Sequence, residues 1–484
     1  MPWAASPAPR SVRSARRATE TPARSSPAPT TASPSRRTTE SLRRRCCEPW
    51  RRGGSNCRGA FMESHWHPIL PPALAERSLE AAEAIAADLV SADLSALTGY
   101  PARWSSLGRG KAGLALFFYY LDQARPGRGH DETALDLLDQ AIEGIGAYGV
   151  GPDLYGGFAG VAWVLEHLQG RLGDPDADPG EDVAASLVDV LGRSPWTEDY
   201  DLISGLTGYG VWALERSSRP GGEEALRRVV ARLGETAERG PATATWFSPP
   251  ETLHEISRRA APRGNYNAGV AHGVPGVIGL LGHALATGMG EARELLDGAV
   301  CWLLEHKLPP DARSVFPSYV TPDDEAPSCR LAWCYGDAGV AAALLAAARG
   351  AGEADWEREA LATARSAAAR RGDEAGVVDA GLCHGSAGLA HLFNRLYQAS
   401  GDPQLADAAV FWAERTLAMR KPGEGIGGFQ FWEADDAMEL GWRAAPGFLG
   451  GAAGVGLALL AAATPVEPAW DRLLLASIPS PRVG

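Results

Sequence analysis

Seven copies of Gly-x-x-Gly, each leading into an apolar run, constrain this chain more than any other feature. The first glycines are Gly110, Gly157, Gly205, Gly273, Gly336, Gly385 and Gly451, and the second are Gly113, Gly160, Gly208, Gly276, Gly339, Gly388 and Gly454. Successive copies are 47, 48, 68, 63, 49 and 66 residues apart. With 57 glycines in 484 residues, one such tetrad carries little weight, but seven at a near-regular period mark an internal repeat. The shorter intervals fit two helices of ordinary length with two loops. Helix formers dominate between the copies and β-type alternation is scarce. Each unit therefore reads as an outer amphipathic helix, a Gly-rich loop and a more apolar inner helix. A glycine in each loop permits positive φ and close backbone approach, and a second at the helix start lets the inner helices crowd around one axis. The expected fold is all-α, a closed (α/α)7 toroid of seven helix pairs; an open solenoid is the alternative.

Helical periodicity begins at Leu74, where Leu79, Ala82, Ala86 and Leu89 share a face. Leu135, Leu138, Ile142 and Ile145 predict a second amphipathic helix. Gly447–Thr464 is uncharged over 18 residues, at the lower bound for a membrane span, but it occupies the seventh repeat's place and reads as a buried inner helix. No transmembrane segment is expected. Residues 241–250 are Pro-rich and predict a long rim loop, where substrate contacts often lie. Residues 1–61 are rich in Arg, Ser and Pro and read as a disordered head, with Met62 the expected native start and 62–484 the toroid. The first 60 residues carry a net +10 against −13 for the whole chain, leaving −23 for the rest, which argues against nucleic acid as a partner.

Four cysteines lie in the part expected to fold, Cys301, Cys329, Cys334 and Cys383, widely spaced and without a secretory signal. That pattern fits a reducing cytoplasm and metal or thiol chemistry rather than a disulfide framework. Cys334 and Cys383 each stand two residues before the first glycine of successive repeats, and His384 follows the second cysteine. Three protein ligands leave a Zn²⁺ ion an open fourth position. His272 occupies the same place in its repeat as His384, immediately before a glycine, and Asp201, Arg330 and Tyr335 lie in equivalent loops. In a toroid these loops converge at one end of the ring, so the residues should meet. The remaining residues read as structural: His167, His283 and His391 as half-buried helix residues, His306 as a helix C-terminus, Cys301 as core, and Asp337 as a solvated rim or helix N-terminal residue. Cys329 is out of frame. The carboxylate clusters Asp323-Asp324-Glu325 and Asp435-Asp436, which glycoside chemistry could use, lie outside the repeat frame and read as solvated loop.

Together these motifs closely resemble the lanthionine synthetase C-like family, the lanthipeptide cyclases. The resemblance rests on residues 200–208 (YDLISGLTG), 271–276 (AHGVPG), 330–336 (RLAWCYG), 382–385 (LCHG) and 447–454 (GFLGGAAG), and runs from about Leu74 to the C-terminus. It implies an α/α toroid with one zinc ion on Cys334, Cys383 and His384. It also implies His272 as the acid/base, Asp201 as its polar partner, and Arg330 and Tyr335 as further active-site residues. The implied reaction adds a peptide cysteine thiol to the β-carbon of dehydroalanine or dehydrobutyrine, forming a thioether ring. The implied substrate is a dehydrated ribosomal precursor peptide with its leader; the implied partners are a separate dehydratase and a transporter. A cytoplasmic protein is expected, free or peripheral to a membrane-associated modification complex. The alternative is a zinc-retaining scaffold or regulator of the same fold that binds thiols without cyclising peptides.

Overall fold

The computed structural model describes residues 66–93, 103–172, 177–323, 325–434 and 439–480. The head and the boundary at Met62 lie outside them. In chain order the helices are α1 (Pro72–Ser91), α2 (Lys111–Ala124), α3 (His130–Tyr148), α4 (Phe158–Leu172), α5 (Glu181–Leu191), α6 (Leu206–Glu215), α7 (Gly222–Thr236), a short α8 (Glu255–Ala260), α9 (Val274–Ala286), α10 (Arg293–Glu305), α11 (Asp337–Ala351), α12 (Ala354–Ala369), α13 (Ser386–Ser400), α14 (Pro403–Ala418) and α15 (Ala452–Ala463).

Outer and inner helices differ as their sequences predict. The outer α7 buries Leu226, Val229, Val230 and Leu233 at helical spacing and turns Glu223, Glu224 and Arg227 to solvent. The inner α11 is buried continuously from Asp337 to Gly350, and α15 from Ala452 to Ala462. A helix apolar all round is stable only when surrounded. Inner helices α2, α4, α6, α9, α11, α13 and α15 contact one another in that order, and α15 packs on α2 and α1, so the ring closes. An open solenoid is thereby ruled out. No helix among the described residues is long and apolar enough to cross a membrane.

The long rim loop expected after α7 carries short strands. Strand Glu238–Arg239 pairs with Ala244–Thr245, and Phe247–Ser248, Asn265–Asn267 and Tyr319–Val320 form a three-stranded sheet. A further hairpin, Phe431–Ala434 with Leu440–Arg443, sits in the interval before α15. The three long intervals hold these additions.

The repeated glycines have a steric origin. Before five of the seven inner helices the loop folds back so that the carbonyl six residues ahead of the first glycine accepts the first helical N–H. This is seen from Lys111 to Trp104 (2.6 Å), Phe158 to Gly151 (2.9 Å), Leu206 to Asp199 (3.1 Å), Ser386 to Asp379 (3.0 Å) and Ala452 to Ala445 (2.9 Å). Backbone thus replaces the side-chain caps that helix N-termini normally recruit. A Cβ on the first glycine would strike this folded-back strand, as at Gly205, 2.2 Å from the Asp199 carbonyl oxygen. A Cβ on the second would strike the same loop three residues before the first glycine, as at Gly388, 1.9 Å from the Leu382 oxygen. Positive φ plays no part: the first glycines for which the angle is given are extended, with φ from −106° to −143°, or 164° at Gly336.

The loops are also stitched to one another. Gly108 N–H donates to the Tyr155 carbonyl (2.9 Å), Tyr155 to Ile203 (3.4 Å), Leu202 to Ala271 (3.2 Å), Ala271 to Cys334 (3.3 Å), Cys334 to Cys383 (3.2 Å), Cys383 to Leu449 (2.9 Å), and Phe448 back to Gly108 (2.9 Å). All seven bonds run in one direction, and every acceptor stands two residues before a first glycine. The result is a closed belt at one end of the ring.

Candidate functional site

The belt brings the two in-frame cysteines together. Cys334 and Cys383 are consecutive members of it, joined by the Cys334 N–H to Cys383 carbonyl bond. The sulfurs of Cys334 and Cys383 and one ring nitrogen of His384 all lie within 4.8 Å of one another. Cys334 is buried and the other two are half-buried. Among the described residues no other set of His, Cys, Asp or Glu side chains converges in this way. Cys329 lies elsewhere, buried, with its thiol on the Phe316 carbonyl at 3.5 Å. The two thiols titrate as one unit. The hydrogen bond from Cys383 holds Cys334 well below the usual thiol range, with His384 and Arg330 assisting against burial. That same bond, with burial, raises Cys383. The pair therefore gives up one proton more readily than the other. Two soft thiols and an imidazole form a donor set that suits Zn²⁺, and three protein ligands is the number found in catalytic zinc sites.

His272 lies on the neighbouring loop, where Ala271 donates to the Cys334 carbonyl at 3.3 Å. Its Nδ1 is hydrogen-bonded to Asp201 Oδ2, and the Ser204 N–H fixes Asp201 Oδ1 from the other side at 2.7 Å. Tyr200 donates its hydroxyl to the His272 carbonyl at 3.2 Å. The imidazole keeps 42% of its surface open. Burial among protein groups disfavours its charge, but the hydrogen bond and charge of Asp201, with Cys334 and Asp199, outweigh it, so its pKa is raised above the ordinary histidine value. With Nδ1 occupied, Nε2 is the free ring nitrogen.

Tyr335 stacks near His272 with centroids 6.2 Å apart, and its hydroxyl accepts from Asn267 Nδ2 at 3.0 Å. Burial pushes its pKa up, with the charges of Cys334 and Asp201 adding, so it stays a neutral phenol. Arg330 is half-buried, and its charge acts on both thiols. All seven residues expected at the rim are thus gathered there. The sequence reading missed Asn267, Asp153, Asp199 and Asp379. Asp199, Asn267 and Asp379 share the position six residues before a first glycine, the one Arg330 also holds, and Asp153 matches Asp201 four before. The repeat frame was the signal that could have found them. Burial, then the charges of Asp201, Asp199 and Glu198, raises Asp153 to about 6. Asp379 accepts from Gly381 N (2.9 Å) and Trp432 N (3.1 Å), tying the Cys383 loop to the hairpin before α15.

Three structural expectations are corrected. Asp337 does open α11, as expected of a helix N-terminal residue, but it is fully buried, not solvated: it accepts from Val315 N, Phe316 N and Arg370 Nη1, each at 3.0 Å, and anchors the long segment ahead of α11. Cys301 is partly exposed rather than core, with its thiol on Glu305. His167 and His391 are fully buried rather than half-buried. Each is held by polar partners, His167 by Tyr120 and Glu215 and His391 by Asp471. His306 does cap the end of α10.

No curated protein matches the sequence. Among solved structures the chain is similar to nisin cyclase, with 18% identity and a TM-score of 0.63 over 83% of this chain and 97% of that one. A sugar epimerase from a ruminal bacterium matches at 10% identity and a TM-score of 0.41 over 73% of this chain and 86% of that one, too distant to carry an argument. The nisin cyclase likeness concerns the fold, and agrees with the ring of seven helix pairs. The family model described as lanthionine synthetase C-like protein matches residues 102–475, starting later than the resemblance read from Leu74. Spanning well over half its length, that match shows that the chain belongs to the lanthionine synthetase C-like family.

Proposed function

We propose that this protein is a zinc-dependent lanthipeptide cyclase, joining a peptide cysteine to dehydroalanine or dehydrobutyrine through a thioether. The observation that carries this reading is the convergence of Cys334, Cys383 and His384 within 4.8 Å, one loop away from the His272–Asp201 pair. Cys334, Cys383 and His384 would hold the ion. When bound, Zn²⁺ supplies Lewis acidity that favours the thiolate form of a substrate thiol at neutral pH. The chain's own residues supply the rest. Asp201 fixes the His272 ring through Nδ1 and sustains its charge, so Nε2 presents a proton. When sulfur adds to the β-carbon, charge develops on the carbonyl oxygen of the dehydro residue, and the α-carbon must gain a proton. His272 is the donor for that proton. Arg330 supplies positive charge for the oxygen, and Tyr335, neutral and held by Asn267, supplies a phenol beside the imidazole. The proton lost from the thiol balances the proton gained on carbon, so the reaction is an isomerisation.

The peptide is expected to arrive already dehydrated, its leader attached, from a separate dehydratase, with a transporter as a further partner; the setting is cytoplasmic. Incubating the zinc-loaded protein with a synthetic peptide containing one cysteine and one dehydroalanine tests the proposal. Loss of alkylatable thiol at unchanged peptide mass is expected. A protein that holds zinc but leaves the thiol free would instead be a thiol-binding scaffold of the same fold.

A further inference from the structure

The last described stretch of the chain runs through the middle of the ring. Trp470, Asp471, Leu473, Leu474, Leu475 and Ala476 are each 2% exposed or less. Their contacts come from around the toroid. Asp471 accepts from His391 Nε2 (2.9 Å) and Arg395 Nε (2.7 Å) on α13, and Arg472 pairs with Glu215 at the end of α6 (3.1 Å). Leu475 packs so tightly on α9 that a Cβ on Gly279 would stand 3.3 Å from it. Two belt loops hang on this segment from above. Tyr155 donates its hydroxyl to the Leu473 carbonyl (2.7 Å), and Trp333 donates its indole Nε1–H to the Leu474 carbonyl (2.9 Å). Trp333 immediately precedes Cys334, is 1% exposed, and gives its backbone N–H to the Cys383 carbonyl at 3.2 Å.

We infer that Trp333 is a positioning residue for the metal site, holding Cys334 at its working distance from Cys383 and His384 by anchoring the loop to the C-terminal segment. The inference rests on the zinc reading above. One peptide unit separates the anchored residue from the ligand, and a buried indole N–H has no water to replace a lost carbonyl. The loop therefore cannot rotate without leaving both groups unpaired. Tyr155 makes a bond of the same kind to the neighbouring carbonyl, but its loop carries no ligand, which makes it a matched control.

Trp333→Phe and Tyr155→Phe are prepared as full-length protein. Zn²⁺ affinity is read by chelator competition, and thiolate ligation by the absorption bands of the Co²⁺-substituted protein. Trp333→Phe is expected to weaken Zn²⁺ roughly tenfold, as loss of outer-shell support typically does, and to change the Co²⁺ bands. Tyr155→Phe should leave both as in the wild type. Wild-type affinity and bands in Trp333→Phe would overturn the inference, and so would equal losses in the two variants, which would indicate general loosening of the ring. A wild-type protein that binds no zinc refutes the zinc reading and this inference together. One that binds zinc without cyclising peptide removes only the cyclase reading.

Discussion

Gly388→Ala sets two effects of known sign against each other. Alanine in place of glycine inside a helix normally gains about 1 kcal/mol. Here the new Cβ would lie 1.9 Å from the Leu382 carbonyl oxygen and 2.8 Å from its carbon. Ordinary contact begins near 3.5 Å, so the carbonyl must retreat by roughly 1.5 Å. It has little room to do so, because the next residue, Cys383, is bonded to Leu449 at 2.9 Å and receives Cys334 at 3.2 Å. Overpacking of this kind costs ~1–3 kcal/mol, and each belt bond lost adds ~1 kcal/mol. Sterics should therefore win, leaving a net loss of about 1–3 kcal/mol. Gly160→Ala makes the same clash, 1.9 Å from the Leu154 oxygen, in a loop with no ligand. Both variants should melt lower than the wild type in a thermal scan of the chelated proteins. Only Gly388→Ala should also lose zinc in a stoichiometric metal assay, because only its clash pushes on the residue before a ligand. A Gly388→Ala protein as stable as the wild type, or one with full zinc, would refute the steric account of the second glycine.

Removing either thiol, Cys334→Ala or Cys383→Ala, should abolish most bound zinc and all cyclisation, measured by metal analysis and thiol consumption. His272→Ala should keep full zinc yet lose turnover, which separates proton donor from ligand. Because Asp201 helps raise the imidazole pKa, activity that needs the protonated ring should fall as pH rises through that elevated value. Asp201→Asn should move this alkaline limb of the pH–rate profile toward lower pH. Burial and the neighbouring carboxylates push Asp153 up to about 6 in the fold, above the ordinary aspartate value of about 3.9. The unfolded chain therefore loses that proton first, and the resulting loss of stability grows between these values and is complete above about 6. Asp153→Asn should raise the denaturation midpoint at pH 8 and leave it little changed at pH 3.

The repeat makes much of this legible in the sequence alone. Equivalent loops of a closed ring share one rim, so a residue's offset from its glycine places it on that rim, and Cys334, Cys383, His384 and His272 followed. Offsets could not reveal what depends on the path of the chain. That Asp337 opens a helix is legible, but its burial is not, because nothing in its own segment indicates that residues 315 and 316 fold back onto it. Asn267 has no chemistry of its own until the Tyr335 hydroxyl is seen beside its amide. The glycines were recognised correctly but for the wrong reason in part. Freedom in φ and lack of a Cβ leave the same mark in a sequence, and only the folded-back carbonyls distinguish them.

The belt also explains why the proposed metal ligands sit on adjacent loops rather than on any two. Every bond is accepted two residues before a first glycine and five of the seven are also donated from there, the Cys334 to Cys383 bond among them, so side chains at that position on those consecutive loops are held beside one another by main chain alone. Cysteines on non-adjacent loops would have no such link. In an open arrangement the first and last loops would leave the Gly108 carbonyl and the Phe448 N–H without each other. Closure supplies the Phe448 to Gly108 bond (2.9 Å), and the Leu449 loop is the one that receives Cys383. Opening the ring at that point should therefore disturb the cysteine pair through two consecutive bonds, although neither Gly108 nor Phe448 touches the thiols. Gly447 is the place to test this. A Cβ there would stand 2.4 Å from the Gly108 oxygen and 2.7 Å from the Arg109 Cα, so Gly447→Ala wedges the first and seventh loops apart. Weakened zinc retention in this variant, with the three ligands intact, is the expected result. Unchanged retention would mean that the cysteine pair is held locally and owes nothing to closure.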